Sequence, residues 1–149
     1  MIPETSVNWK AFEYIYSDNP QRAFENLTYY LFCHEFNQKN GIFRYFNQPH
    51  IETNPIRLDD KLIGFQSKYY ADSVTMSGKE SELIEAVKGA AKAYSGITTL
   101  YFYISHEFSP SSKKDIVKPS YQVSIENVAQ NLGIEIEWRG ISNIEAQLM

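Results

Sequence analysis

The hydrophobic pattern of the chain switches repeatedly between helical and strand periodicity, and this alternation limits the possible folds more than any other feature. Helical patterns cover residues 18–39, 78–94 and 119–132, whereas strand patterns cover residues 42–46, 50–56, 62–70, 97–105 and 134–138. The pair Asn19-Pro20 is typical of a helix start, and the run 57–61 (RLDDK) is typical of a hairpin turn. The order helix, three strands, helix, strand, helix, strand predicts an α/β domain with a mixed sheet, first a meander and then helical crossovers.

Length and composition favour a single folded domain. The chain has 149 residues, of which 43% are apolar and 15% aromatic, which suffices for one core and is too apolar for a disordered chain. We expect an N-terminal extension over residues 1–17, a core over 18–140, and over 141–149 the start of a further helix or a linker to another domain. No run of about 18 apolar residues and no signal-peptide pattern occurs, and Cys33 is the sole cysteine. We therefore expect a cytoplasmic protein with no membrane partner and an inert core thiol.

The charge balance argues against a protein that binds nucleic acid through phosphate neutralisation alone. Lys and Arg number 14 against 18 Asp and Glu, which gives a formal net charge of −4, whereas such binders are usually basic. A nuclease remains compatible with this balance, because its carboxylates can bind a divalent cation, and the cation supplies the positive charge that the protein lacks. We expect this domain alone to bind DNA or RNA weakly and to act in several copies or beside a tethered partner.

Polar residues on the third predicted strand form the first candidate site. Because side chains alternate along a strand, Gln66 and Lys68 share one face, while Ser67 points to the other. Glu52 lies on the preceding predicted strand, and a hairpin would bring it beside Gln66 and Lys68. Carboxylate and amide oxygens are ligands for Mg²⁺, and a lysine can hold a water molecule or offset transition-state charge. These residues therefore fit metal-assisted phosphodiester hydrolysis.

The same residues also fit a plain structural interpretation. Gln66 and Lys68 could face solvent on one side of an antiparallel sheet, with Glu52 as a cross-strand ion-pair partner. Glu25, on the first predicted helix, could equally be an ordinary helix-face residue. Spacing does not separate the two interpretations, because an acid followed by a Gln-x-Lys triplet is a short and common pattern.

Three short motifs in this element order resemble the PD-(D/E)xK nuclease superfamily, in particular its Mrr-type branch. The family's first helix carries F-E-x-L, which is Phe24–Leu27 here, and its metal-binding acid starts the second core strand, where Glu52 stands. Its third motif can be Q-x-K, which is Gln66–Lys68 here. The runs GIFRYFNQPHIETNPI and IGFQSKYY are also similar to the N-terminal effector nuclease modules of Avs (STAND ATPase) antiphage proteins. The resemblance implies a restriction-endonuclease-like αβββαβ core, a mixed central sheet flanked by helices.

The resemblance also implies an activity and a set of roles: a Mg²⁺- or Mn²⁺-dependent endonuclease that cleaves DNA as the effector of a bacterial antiphage system. Glu52, Gln66 and the carbonyl of Ser67 would hold the metal ion. Lys68 would position or activate the attacking water, and Glu25 would contact a metal-bound water or steady the site. Partners implied in the same way are further copies of the chain, or a tethered sensor/ATPase domain that switches the nuclease on by assembly.

Two departures from the family pattern leave a second interpretation open. The second-motif acid is usually Asp, and Glu52 is one methylene longer. Gln66 replaces an acid, so the site carries less negative charge and would hold a metal more weakly. Both variants fit the Mrr-type branch, and both also fit a catalytically inactive, nuclease-like module that binds nucleic acid or mediates oligomeric assembly.

Basic residues elsewhere are candidates for contact with a nucleic-acid backbone. They are Arg44, Lys79, Lys113, Lys114 and Lys118. A solvated surface explains these residues equally well. The three histidines lack metal-ligand spacing, and no Gly-x-Ser-x-Gly motif indicates a serine hydrolase.

Overall fold

A computed structural model describes residues 8–42, 44, 53–107 and 118–148 of the chain. The helices of this part are α1 (Trp9–Ile15), α2 (Pro20–Glu35), α3 (Glu80–Ala93), α4 (Ser120–Asn131) and α5 (Ile141–Leu148). The strands are β1 (Ile56–Leu58), β2 (Lys61–Lys68), β3 (Thr99–Ile104) and β4 (Glu135–Arg139), and a 3-10 turn (Met76–Lys79) leads into α3. The predicted α/β class is confirmed. Among the helices described, none is both long and apolar enough to cross a lipid bilayer.

The four strands form one mixed sheet in the order β1-β2-β3-β4. β1 pairs antiparallel with β2, where Ile56 lies opposite Ile63. β2 and β3 are parallel, with Ile63 opposite Thr99, and β3 and β4 are parallel, with Thr99 opposite Glu135. Each parallel connection passes through a helix, as such a connection requires. β2 therefore pairs with β1 through Lys61–Ile63 and with β3 through Ile63–Lys68. Its carboxyl end lies at the same edge of the sheet as that of β3.

Helices cover both faces of the sheet. α3 and α4 pack on one face, where Leu83 and Ile125 belong to the same buried cluster as Phe102. α2 and α5 pack on the other face, where the rings of Phe32 and Phe65 stack with centroids 5.0 Å apart. We call these the α3 face and the α2 face. Burial on both sides explains why β3 is a nearly continuous apolar run.

α2 begins where the sequence pattern predicts and ends earlier. The Asn19 side chain accepts a hydrogen bond from the Arg22 N–H at 3.0 Å, which caps the first turn. The predicted end near residue 39 is wrong, because the helix ends at Glu35 and Asn37 takes a left-handed φ of +54°. Asparagine tolerates this conformation better than most residues do, so Asn37 ends the helix before Asn40-Gly41.

The segment before residue 18 contains a helix that periodicity did not predict. α1 is only 7 residues long, and the side chain of Asn8 caps it by accepting from the Ala11 N–H at 3.0 Å. Its Trp9 ring lies 6.3 Å from the ring of Phe24 on α2. Trp9 also donates a hydrogen bond to Glu145 of α5 at 2.7 Å. α1 therefore packs against the folded core.

The hairpin that leads into β2 forms as expected, but the strand before it is short. Asp59-Asp60 makes the turn, with Asp59 at a φ of +55°. In the described part of the predicted strands 42–46 and 50–56, Arg44 and Thr53 form one isolated antiparallel bridge. β1 starts directly after Pro55, because proline has no N–H to donate to a strand ladder.

Candidate active site

The carboxyl half of β2 places an amide side chain in the core on the α3 face. Gln66 is 1% exposed, and its Nε2 donates a hydrogen bond to the backbone carbonyl of Ala86 on α3 at 3.1 Å. A buried amide is costly unless it is hydrogen-bonded, so this bond stabilises one orientation of the side chain. The same bond sets the direction of Oε1, which lies at the other end of the planar amide. An amide oxygen held in this way has the chemistry of a ligand for a hard cation.

Lys68 ends β2 on the same face as Gln66, because the two residues are separated by one position of an alternating strand. Its side chain is half-buried, and none of the ion pairs found among the described residues involves it. Its backbone carbonyl accepts a hydrogen bond from the Ser105 N–H at 3.2 Å, so the sheet supports the chain up to this point. An ammonium group held at a strand end can stabilise negative charge that develops on a bound substrate.

Lys79 contacts the chain just beyond β2. Its Nζ lies 3.5 Å from a carboxylate oxygen of Glu82 and 5.1 Å from the ring centroid of Tyr70. The Tyr70 hydroxyl donates to Glu82 at 3.1 Å. Burial, followed by the neighbouring Glu82 carboxylate, raises the pKa of Tyr70, so this hydroxyl stays protonated at neutral pH. Lys79 thus lies near the same strand end as Lys68, with part of its charge offset by Glu82.

Ser67 lies on the α2 face, where its side chain contacts α2. The Thr28 hydroxyl oxygen lies 2.9 Å from the Ser67 hydroxyl and 3.0 Å from the carbonyl of Phe24. This contact ties the middle of α2 to the carboxyl half of β2. The Ser67 side chain is therefore used for packing, and the sequence-predicted metal ligand at this position is its carbonyl.

Glu25 is paired with Arg44 on the α2 face. Arg44 Nη2 lies 3.2 Å from a Glu25 carboxylate oxygen, and the two side chains are 15% and 27% exposed. Glu25 and the Gln66 amide therefore lie on different sides of the sheet. Both lie toward the carboxyl end of β2, because Thr28, one turn after Glu25, contacts Ser67. The structure thus brings Gln66 and Lys68 onto one face and leaves Glu25 on the other.

Three residues of the sequence-predicted set, Glu52, Lys113 and Lys114, lie outside the described residues. Thr53, the next residue after Glu52, is fully buried. Within residues 8–42, 44, 53–107 and 118–148, no three His, Cys, Asp or Glu side chains lie close enough together to hold a metal ion. Of the sequence-predicted metal ligands, the described residues include Gln66, with its amide oxygen, and Ser67, with its carbonyl. Both are hard oxygen ligands that fit Mg²⁺ in kind, and the anionic ligand of the predicted set is Glu52.

A cavity of about 400 Å³ lies at the edge of the sheet where β2 and β3 end. It is lined by Trp9, Glu13, Tyr69, Tyr70, Asp72, Ser105, His106, Glu107 and Ile141. His106 Nε2 lies 2.9 Å from the carbonyl oxygen of Ala71 and 3.2 Å from that of Tyr70, so this nitrogen contacts the chain directly after β2. None of these residues was predicted from sequence. The sequence could have indicated them through their position directly after two predicted strands, because α/β sheets bind ligands at the carboxyl ends of their parallel strands.

Tyr29 of α2 holds the chain that follows the helix. Its hydroxyl accepts from the Ile42 N–H at 2.8 Å and donates to the Ile42 carbonyl at 2.9 Å. Burial raises the pKa of Tyr29, which keeps the donating proton in place at neutral pH. Gly41 has a φ of +77°, and a Cβ built there would lie 2.6 Å from the Tyr29 hydroxyl oxygen. Glycine at this position therefore permits the close approach of Tyr29.

Replacing Gly41 by alanine should lower the free energy of unfolding by about 2 kcal/mol, from left-handed backbone strain plus displacement of Tyr29. Gly133→Ala is a matched control, because Gly133 has a φ of +76° and no atom within 4 Å of the added Cβ. We expect that control to lose about 1 kcal/mol, from strain alone. Urea unfolding measures both variants, and equal losses would show that the Tyr29 contact adds nothing.

No protein-family model matches the chain, and no curated protein matches it. Any functional assignment therefore depends on the residues and contacts described above.

Proposed function

We propose that this chain is a metal-dependent endonuclease domain of the PD-(D/E)xK type, which hydrolyses phosphodiester bonds of DNA. The observation that carries the proposal is the pair Gln66 and Lys68 on one face at the carboxyl end of β2, where the strand pairs with β3, with the Gln66 amide anchored on Ala86. The order α2, β1, β2, α3, β3 supports part of a restriction-endonuclease-like αβββαβ core. Between α2 and α3 the described residues contain two strands and the isolated Arg44–Thr53 bridge.

Each residue of the proposed site has a separate role. Glu52, the Gln66 amide oxygen and the Ser67 carbonyl would hold Mg²⁺ or Mn²⁺. When bound, the ion supplies positive charge that polarises a phosphoryl oxygen and lowers the pKa of a water molecule. Lys68 holds the attacking water and offsets the charge that develops on the phosphate. Glu25, on the opposite face, acts by steadying this end of the fold.

The surroundings of the site support a domain that does not bind its substrate alone. Lys79 is 34% exposed at its side chain and is the described candidate for contact with the DNA backbone near Lys68. With a formal net charge of −4, the chain has little excess cation to hold a duplex. We propose that further copies, or a tethered sensor/ATPase domain, supply the missing affinity and that the assembly serves as an antiphage effector.

The direct test is cleavage of a supercoiled plasmid by the full chain. We expect nicked and linear products with Mg²⁺ or Mn²⁺ and none with EDTA, because the reaction needs the cation. Glu52→Gln should lower the rate by about 100-fold, the usual loss when one electrostatic contact to the reacting centre is removed. Wild-type protein that leaves the plasmid intact at all metal and protein concentrations would refute the proposal.

One observation favours a second function, a nuclease-like module without catalysis. Gln66 is 1% exposed and bonded to the α3 backbone, as a residue with a purely structural role would be. This alternative predicts no heat of Mg²⁺ binding by calorimetry. It also predicts that Glu52→Gln leaves DNA binding in a gel-shift assay unchanged.

A further inference from the structure

Arg44 is held by α2 and by a distant part of the backbone at the same time. Its Nη2 lies 3.2 Å from Glu25, and its guanidinium carbon lies 4.4 Å from the ring centroid of Tyr29. Its backbone forms the isolated antiparallel bridge with Thr53. A planar guanidinium suits this combination of ion pair and ring contact, which lysine cannot reproduce. Arg44 thus joins the amino-terminal half of α2 to the chain at Thr53.

This arrangement leaves little of Arg44 for a nucleic acid. The side chain is 15% exposed, whereas that of Lys79 is 34% exposed. A phosphate contact would have to compete with the Glu25 carboxylate for the same guanidinium. Cations that neutralise phosphates lie at the surface, where they release counterions on binding. The contacts of Arg44 therefore favour a structural role over the contact with the DNA backbone that the sequence analysis predicts.

The backbone near Arg44 is also fixed by contacts at Ile42 and at Thr53. Tyr29, whose ring lies under the Arg44 guanidinium, brackets Ile42 with two hydrogen bonds through its hydroxyl. Thr53 is fully buried at the other end of the bridge. In the sequence, Thr53 directly follows Glu52, the acid of the proposed site. A disturbance at Arg44 therefore acts on the backbone one residue away from that acid.

We propose that Arg44 is a positioning residue of the nuclease centre, which orients the Glu25 side chain and ties the chain at Thr53 to α2. The inference rests on the proposed nuclease function. It means that Arg44 acts on the rate of the chemical step through its neighbours and makes no contribution to DNA affinity. A displacement of about 1 Å in a catalytic group can cost about 100-fold in rate, which is the size of effect expected on its removal.

The experiment compares kcat, KM and the salt dependence of KM for plasmid cleavage by the full chain. For Arg44→Ala we expect kcat to fall by about 100-fold, with KM and its salt dependence unchanged. Arg44→Lys should recover part of the lost kcat, since it keeps a charge for Glu25 but loses the planar contact with Tyr29. Arg57→Ala is the matched control, because Arg57 is an exposed arginine on β1, and it should behave as wild type.

Two results would overturn the inference while the nuclease function stands. One is a raised KM with the slope of log KM against log salt reduced by about 1, which is the mark of a lost phosphate contact. The other is an Arg44→Ala variant with unchanged kcat. Failure of the wild type to cleave would instead overturn the proposed function. Hydrogen exchange then tests separately whether the Arg44 side chain holds the chain at Thr53. Faster exchange of the Thr53 amide in Arg44→Ala and Arg44→Lys would support this role, and unchanged exchange would contradict it.

Discussion

Replacing Lys68 by alanine is expected to lower the rate of Mg²⁺-supported DNA cleavage by about 10³-fold, with the fold retained. Proton-transfer and electrostatic groups at a reacting centre each contribute about 10²- to 10⁴-fold. Lys68 ends β2 and is half-buried, so alanine there leaves the strand pairing intact. Single-turnover cleavage with enzyme in excess measures the chemical step, and circular dichroism shows whether the variant is folded.

Lys61→Ala is the matched control for this substitution. Lys61 starts the same strand and is exposed, at the end opposite to Lys68. Its removal costs the same charge and the same side-chain length, so DNA affinity through overall charge changes equally in the two variants. We expect Lys61→Ala to cleave at the wild-type rate. Equal rates for Lys68→Ala and the wild type would remove Lys68 from the proposed mechanism.

Replacing Gln66 by glutamate is expected to destabilise the fold by about 3 kcal/mol at pH 8, although an acid is the commoner residue at this motif position in the resembled family. The Gln66 Nε2 donates to the Ala86 carbonyl at 3.1 Å in a fully buried setting. A carboxylate would set a negative oxygen against that carbonyl and lose hydration as well. Urea unfolding without divalent metal measures the loss.

The destabilisation by Gln66→Glu should depend on pH. Burial and the facing carbonyl raise the pKa of the new carboxyl above its unfolded value of about 4.3. Above the raised pKa the folded state must hold the unfavourable anion, so the loss is largest there. As the pH falls through that pKa, the protonated acid can donate to the Ala86 carbonyl, and the loss shrinks. Stability relative to wild type should therefore be better at pH 5 than at pH 8.

Gln130→Glu is the control for this pair of measurements. Gln130 is exposed on α4, so the same chemical change takes place there in water. We expect its unfolding free energy to stay within about 0.5 kcal/mol of wild type at both pH values. A Gln66→Glu variant as stable as Gln130→Glu at pH 8 would show that the Ala86 contact does not require an amide.

Local patterns predicted most elements of the fold. The Asn19-Pro20 start of α2, the Asp59-Asp60 turn and the alternation of β2 all follow from residues close together in the chain. α1 was missed because 7 residues contain too few turns for a periodic signal. The end of α2 was predicted too late because Asn40-Gly41 is the stronger helix-end pattern in the sequence. In the structure Asn37 already takes a left-handed conformation and ends the helix.

By itself the sequence determined which residues share a strand face and where most helices begin, because periodicity and capping act within about four positions. Only the tertiary structure decided that Gln66 donates to Ala86 and that Arg44 pairs with Glu25. These partners are 20 and 19 residues apart, and they meet because α3 and α2 pack on opposite faces of the sheet. Which helix packs on which face depends on the burial of the two apolar clusters as a whole, and no local sequence pattern contains this information.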